Sequence, residues 1–193
     1  MYNKIEGFIL DKTRIKYNED MANHTSFKVG GLADCFVIIN SDMELIQILK
    51  FLKENRIPYF VMGNGTNLLV KDGGIRGIVI QLNFKNIEIT NLDNKTIIKA
   101  GAGVTLARLA TMAKENNATG LEFAIGIPGT LGGAIKMNAG AYGSEMQNVI
   151  KSTKYIDLDG NIKIIKNEEH QFEYRNSVFS RINGIILESV IEL

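Results

Sequence analysis

The sequence predicts an α+β chain built of two subdomains that meet near residue 85. Three observations predict it. A capped amphipathic helix stands between two strands in the first half, hairpin signals replace that pattern in the second, and glycines crowd into one stretch, Ile127–Gly143. Strand–helix–strand implies parallel pairing, because parallel strands need a long crossover, whereas hairpins imply antiparallel pairing. The subdomain bounds expected from this change are 1–85 and 86–193.

Bulk properties narrow the class. With 193 residues, 45% hydrophobic and 22% charged, the chain has an ordinary globular composition and length enough for a real core. A net charge of +1 offers no electrostatic reason for binding nucleic acid or an anionic membrane. The single cysteine, Cys35, excludes an internal disulfide and suits a reducing compartment. No apolar run approaches the roughly 18 residues of a membrane span. The charged N-terminus lacks the small-residue cleavage site of a signal peptide. A soluble, cytoplasmic protein with a small-molecule partner is expected.

In chain order, residues 1–23 are mixed and charged, and Ile5, Phe8 and Ile9 have the spacing of a peripheral helix that Gly7 interrupts. His24–Gly31 ends in a glycine turn, and Ala33–Ile39 follows as a strand. Ser41 and Glu44 match a capping box, and Leu45, Ile48, Leu49 and Leu52 then share one helix face until Pro58. Tyr59–Met62 reads as a buried strand entering Gly63–Asn67, and Gly77–Leu82 as another. Ile87–Thr90 and Thr96–Ala100 flank a turn at Asn91–Lys95. Gly101-Ala102-Gly103 opens a helix over Thr105–Asn116, with Leu106, Leu109, Ala110 and Ala113 on one side. Val149–Leu158 and Ile162–Lys166 form a second hairpin that turns at Asp159-Gly160. A short polar helix over Asn167–Phe172 and a final strand over Gly184–Leu193 complete the chain.

Two of these stretches have the chemistry of a ligand cradle. Ordering glycine costs conformational entropy, so a dense run marks backbone that bends sharply or lies against something bulky, and its N–H groups suit anionic oxygens. Ile127–Gly143 also carries Ile127, Leu131, Ile135, Met137 and Tyr142 and lacks the serine repetition of a tether, which favours a ligand-embracing loop. Gly63-Asn64-Gly65-Thr66-Asn67 follows a strand, where α/β folds place phosphate loops, and Thr66 and Asn67 add side-chain donors. The competing reading there is a plain polar turn. A side chain at Gly65 or Gly133 should crowd the ligand.

Other candidates are weaker. Gly101-Ala102-Gly103 lacks the third glycine of a dinucleotide fingerprint, since Leu106 stands there, and reads as a structural turn. No G-x-x-x-x-G-K-[ST] occurs. His24, His170 and Cys35 do not make a metal set, and both histidines read as surface or capping residues. Ser177 has no G-x-S-x-G elbow and is not a candidate nucleophile. Arg175, between aromatic and small polar residues in Phe172–Ser177, is placed to fork onto a carboxylate. The competing reading is a surface ion pair with Glu168 or Glu169.

With these elements in this order, the chain resembles the FAD-binding half of the UDP-N-acetylenolpyruvoylglucosamine reductase family, in its shorter (type II-like) branch. The matching stretches are His24–Gly31 (HTSFKVGG), Gly63–Val70 (GNGTNLLV), Ala100–Gly103 (AGAG), Gly120–Gly143 (GLEFAIGIPGTLGGAIKMNAGAYG) and Tyr174–Phe179 (YRNSVF). The resemblance implies the two-part FAD fold of the vanillyl-alcohol-oxidase (PCMH) type. Gly63, Asn64, Gly65, Thr66, Asn67 and Leu68 would then hold the pyrophosphate. Ile127, Pro128, Gly129, Thr130, Gly132, Gly133, Ala134, Asn138, Gly140, Ala141 and Tyr142 would pass along the ribityl chain and ring. NADPH would be the reductant and an enolpyruvyl UDP-sugar the substrate, in peptidoglycan synthesis and cell wall biogenesis. Arg175 would be catalytic, set against charge that develops beside the substrate carboxylate.

The family's proton-donating serine context and its C-terminal glutamate do not occur in this chain, and no metal is implied. The resemblance therefore implies that a C-terminal substrate domain lies outside it and that the chain alone is inactive in the reduction. Two other readings remain: a different FAD oxidase of the same fold with flavin tethered through His or Cys, and a non-enzymatic nucleotide-binding module.

Overall fold

The computed structural model describes residues 2–193. Its chain divides into two compact units, one ending at Asn83 and the other running Phe84–Leu193.

The first unit is a four-stranded sheet. In chain order its strands are β1 (Ile15–Asp20), β2 (Leu32–Ile39), β3 (Tyr59–Met62) and β4 (Ile75–Leu82), and their order in the sheet is β1-β2-β4-β3. Both β2 and β3 pair with β4 in parallel, and β1 closes the other edge antiparallel to β2. Parallel pairing was expected, but β4 lies between the two strands that flank the helix. That leaves β3 at an edge with only Met62 buried, so it is not the buried strand that its apolar run suggested.

Helix α1 (Asp42–Glu54) makes the crossover from β2 to β3. Ser41 Oγ accepts from the Glu44 N–H at 3.2 Å, one half of the expected capping box. Glu44 supports the same helix start with its side chain. Its carboxylate accepts from the Asn40 N–H at 2.9 Å and takes both Arg14 Nη atoms, at 2.5 and 2.9 Å. That bidentate pair holds the Glu44 carboxyl below its usual range.

Met21, Ala33, Phe36, Met62, Val70 and Val79 form a core under the sheet end. His24 stacks on Phe36 with ring centroids 3.9 Å apart, and its Nε2 meets Glu19 Oε1 at 2.7 Å. In place of a peripheral helix, the N-terminal stretch holds a short 3-10 turn over Tyr2–Gly7, with Ile5 and Ile9 buried, and then β1. Only Ile15 of β1 is buried.

The second unit is a five-stranded antiparallel sheet. Its strands are β5 (Ile87–Leu92), β6 (Lys95–Gly101), β9 (Ile150–Ile156), β10 (Ile162–Lys166) and β11 (Ile185–Glu192), ordered β10-β9-β11-β6-β5. The first hairpin is tighter than expected: pairing continues to Leu92↔Lys95, which leaves Asp93-Asn94 as the turn. Helix α2 (Leu106–Glu115) starts at Thr105, whose Oγ1 accepts from the Arg108 N–H at 3.3 Å, and it buries Leu106, Leu109, Ala110 and Ala113 as its spacing predicts.

His170 departs from expectation. It ends a 3-10 turn over Asn167–His170, is fully buried and stacks on Phe172 with centroids 4.9 Å apart. Its Nδ1 lies 2.9 Å from the Asn167 carbonyl, which can only accept, so Nδ1 carries the proton. Nε2 then accepts from Thr153 Oγ1 at 2.7 Å, and Ser189 Oγ lies 2.9 Å beyond. Burial lowers the His170 pKa from its ordinary value, because the charged ring would be stripped of water.

Candidate functional site

In the first unit, Gly63–Leu68 leaves the end of β3. The Gly63 carbonyl accepts from Gln81 Nε2 at 3.0 Å, which fixes the loop to β4. Asn64 and Asn67 are exposed, and Gly63, Thr66 and Leu68 are half-buried. Gly65 has φ +62, its carbonyl accepts from the Ser26 N–H at 3.1 Å, and a Cβ there would stand 2.0 Å from the His24 carbonyl oxygen. The chain's own backbone therefore demands glycine at this position. The expectation that a side chain at Gly65 would report on a ligand is corrected: it would first displace the His24–Ser26 segment.

In the second unit, Ile127–Gly143 is folded rather than an open loop. It contains α3 (Leu131–Lys136) and β7 (Gly140–Ala141), the first strand of a miniature hairpin completed by β8 (Ser144–Glu145). Glycine disfavours helix, so LGGAIK carries little helical signal of its own. Tertiary contact decides. The Leu131 N–H donates to the Val104 carbonyl at 2.8 Å and the Gly132 N–H to the Ala102 carbonyl at 2.9 Å. A Cβ on Gly132 would come within 3.0 Å of Ala102 Cβ, so Gly132 is small because α3 lies against the Gly101-Ala102-Gly103 turn. That turn is structural, as its missing third glycine implied.

Gly133 is the opposite case. It is exposed, and a Cβ there would find nothing nearer than Thr130 Oγ1 at 3.7 Å. Thr130, the buried residue before α3, does not cap the helix with its side chain. The Gly133 N–H has no acceptor among the described residues. An open amide with no side chain above it suits a phosphate or carbonyl oxygen or the edge of a flat ring. Pro128 is exposed, Ile127, Gly129 and Ala141 are half-buried, and Ala134 is buried within α3.

Beyond α3 the backbone turns left-handed three times. Asn138 (φ +42), Tyr142 (φ +54) and Gly143 (φ +84) all have positive φ, and the last two form the type I′ turn that joins β7 to β8. Tyr142 stands at its tip, 97% exposed. Asn138 is 1% exposed, with Oδ1 accepting from the Gln147 N–H at 3.0 Å and Nδ2 donating to the Glu173 carbonyl at 3.1 Å.

That second bond leads to Arg175. Glu173 and Asn176 exchange both backbone hydrogen bonds at 3.1 Å around Tyr174 and Arg175, and Arg175 sits at φ +54. Left-handed backbone at a bulky residue costs energy and persists where neighbours fix it. The neighbours here are in the Gly-rich stretch. Arg175 Nη2 donates to the Gly140 carbonyl at 2.9 Å, and its guanidinium lies 5.6 Å from the centroid of the Tyr174 ring. Ser177 is buried and its Oγ donates to the Lys136 carbonyl at 2.9 Å, closing the end of α3. The ion pair with Glu168 or Glu169 is not formed: Glu169 instead accepts from the Lys166 N–H at 2.8 Å. Among the described residues the guanidinium has no carboxylate partner, and its remaining donors are open to a ligand.

Three features were invisible in the sequence: the tie through Asn138, the Gly140 carbonyl as the seat of Arg175, and the buried His170 chain. Asn138 and Arg175 each bond across 35 positions, a separation for which local pattern has no signal. Among the described residues no cluster of three or more His, Cys, Asp or Glu side chains offers a metal site, and no helix is long and apolar enough to cross a membrane.

Comparison with known proteins places this geometry. A UDP-N-acetylenolpyruvoylglucosamine reductase of Clostridioides difficile is 47% identical over 187 residues, covering 96% of this chain and 60% of the relative. The crystal structure of UDP-N-acetylenolpyruvylglucosamine reductase from Thermus caldophilus superposes with a TM-score of 0.76 at 32% identity, over 92% of this chain and 61% of that one. A VAO-type flavoprotein from Myceliophthora thermophila shares the fold, with a TM-score of 0.63 at 14% identity over 83% of this chain and 31% of its own. The chain thus spans about three fifths of the reductases it matches. The fold is the two-part α+β fold of the vanillyl-alcohol-oxidase type. The family model described as FAD binding domain matches residues 33–166, across both Gly-rich loops, and the chain belongs to that FAD binding domain family.

Proposed function

We propose that this chain is the flavin-carrying part of an NADPH-dependent reductase that saturates the enolpyruvyl double bond of UDP-N-acetylglucosamine enolpyruvate, giving UDP-N-acetylmuramate for peptidoglycan synthesis in the cytoplasm. The observation that carries the reading is Arg175: a cation without a carboxylate partner, seated on the Gly140 carbonyl of the Gly-rich stretch. The printed names of the reductases from Clostridioides difficile and Thermus caldophilus support it.

The residues present fit FAD, and the open backbone at Gly133 is the observation that tests the fit. In the second unit, the stretch Ile127–Gly133 would hold part of the cofactor, with the open Gly133 N–H as its donor, and the exposed Tyr142 would offer a ring for contact. In the first unit, Asn64, Thr66, Asn67 and Leu68 would serve the pyrophosphate. When bound, FAD supplies two-electron hydride chemistry. The chain's own contribution to the reaction is electrostatic. Hydride addition to the terminal carbon leaves negative charge beside the substrate carboxylate, and the planar fork of Arg175 is shaped to take it.

Non-covalent binding is favoured over a tether. Cys35 is fully buried, and burial pushes its thiol up to about 12, far from the thiolate a covalent bond would need. His170 has both ring nitrogens engaged, and His24 is stacked on Phe36.

The test is single-turnover reoxidation of the reduced flavin by the enolpyruvyl sugar, in the chain extended to its relatives' full length. Replacing Arg175 with alanine should slow that step about a hundredfold or more, the scale of one lost donor to developing charge. A rate equal to the unaltered protein's would refute the role of Arg175.

A further inference from the structure

We infer that Asn138 is a positioning residue for Arg175, the pin that sets its turn against the Gly-rich stretch. The inference rests on the reading of Arg175 given above, and it places Asn138 outside the set of cofactor ligands. Its side chain is too committed for that role. At 1% exposure, Oδ1 accepts from the Gln147 N–H at 3.0 Å and Nδ2 donates to the Glu173 carbonyl at 3.1 Å.

The two bonds reach opposite flanks of one assembly. Gln147 lies two residues beyond the β7–β8 hairpin, whose Gly140 carbonyl receives the guanidinium. Glu173 opens the turn that carries Tyr174 and Arg175 and closes it through its paired bonds with Asn176. Asn138 thus fixes both ends of the arginine: the backbone from which the side chain starts and the carbonyl on which it lands. A long, exposed side chain with one hydrogen bond would otherwise sample many rotamers, and ordering it costs up to about 2 kcal/mol.

Asparagine is also the residue type the backbone calls for. At φ +42 it tolerates the left-handed region, and its amide offers an acceptor and donors at one site. Ser177 cannot replace it, because its hydroxyl is spent on the Lys136 carbonyl at the end of α3 and reaches neither flank. Displacement of a catalytic group by about 1 Å is enough to cost a hundredfold in rate, so the value of such a pin is large even though it touches no substrate.

The experiment uses two variants. Asn138→Gly keeps the left-handed backbone and removes both bonds, and Asn138→Asp keeps the acceptor for Gln147 and removes the donor to Glu173. Amide exchange on the chain itself should show Glu173 and Asn176 losing protection about tenfold in both variants, with Thr153 and Ser189 in the sheet unchanged. In the FAD holoenzyme at full length, flavin affinity should stay within about twofold while turnover falls about tenfold to a hundredfold. The deciding readout is a double-mutant cycle. In an Arg175→Ala background the same Asn138 changes should alter turnover less than about twofold, because the group they position is gone.

Equal losses in both backgrounds would overturn the inference and make Asn138 a general scaffold residue. Unchanged protection at Glu173 and Asn176 would overturn it as well. If Asn138→Gly exposes every amide of the unit, Asn138→Asp decides by the same cycle. If Arg175→Ala alone leaves turnover intact, the reading of Arg175 has failed and this inference with it; if only the Asn138 variants are silent, the inference alone has failed.

Discussion

Two glycines that look alike in the sequence are expected to respond in opposite ways to a single methyl group. At Gly65, alanine must hold φ +62, which costs roughly 1–2 kcal/mol for a residue with a Cβ. Its Cβ would stand 2.0 Å from the His24 carbonyl oxygen, a backbone atom that cannot swing aside. Overpacking of that kind costs about 1–3 kcal/mol. The Ser26 N–H bond to the Gly65 carbonyl goes with the displacement, worth about 1 kcal/mol more. The sum is about 3–6 kcal/mol lost from the first unit.

At Gly133 the nearest atom to a new Cβ is Thr130 Oγ1 at 3.7 Å, ordinary contact. Alanine is the better helix former by up to about 1 kcal/mol, so the second unit should be unchanged or slightly more stable. If the open Gly133 amide is where FAD approaches, Gly133→Ala should nonetheless weaken FAD binding about tenfold or more, some 1.4 kcal/mol. Amide exchange resolves the stability of each unit separately, and quenching of flavin fluorescence gives the affinity. A Gly133→Ala protein that binds FAD as tightly as the unaltered chain would refute the cradle, and a Gly65→Ala protein of full stability would refute the packing argument.

Other outcomes follow from the same contacts. His170 is buried as the neutral ring with its pKa depressed, so the unfolded chain binds its proton more readily than the folded one. Stability is therefore full above the ordinary histidine value near 6.5 and declines as pH falls below it, by up to about 1.4 kcal/mol per unit. The carboxylates whose pKa values are lowered, such as Glu44 and Glu192, lose their contributions only in the range below about 4.5. Denaturation of the second unit between pH 7.5 and 5.5 should show the decline and His170→Gln should flatten it; an unchanged slope in the variant would assign it elsewhere. Arg175→Lys should recover only part of the turnover lost in Arg175→Ala, because lysine keeps the charge without the fork. Full recovery in the single-turnover assay would show that charge alone suffices.

Much of the scaffold was legible because local chemistry specified it. Ser41 announces its helix by a hydroxyl that does cap it, and alternation with short polar turns marks the hairpins of the second unit. Where packing overrides local preference, the sequence was silent. Strand β1 buries only Ile15, so no alternation betrays it, and pairing with β2 alone makes it a strand. LGGAIK becomes helix α3 against the grain of its glycines, because Gly132 can lie on Ala102.

The site divides in the same way. The density of glycine pointed to Ile127–Gly143 as special, but not to the reasons, which differ residue by residue. Gly132 and Gly140 are small for internal contacts, whereas Gly133 faces open space. Arg175 stood out by its neighbours, but its seat on Gly140 and its pin at Asn138 are products of tertiary folding. His170 is hidden from the sequence for a related reason: nothing beside it in the chain reveals Thr153 and Ser189, which supply its polar partners across the sheet.

The property to measure first is whether this chain holds FAD on bare backbone and without a covalent bond. The direct measurement is a titration of the purified chain with FAD, read by flavin fluorescence and followed by denaturation and filtration. The expected result is saturation at one FAD per chain, quenched emission on binding, and complete release of the flavin when the protein unfolds. FAD fluorescence unchanged at saturating protein would contradict binding on this backbone, and flavin retained on the unfolded polypeptide would contradict its non-covalent form.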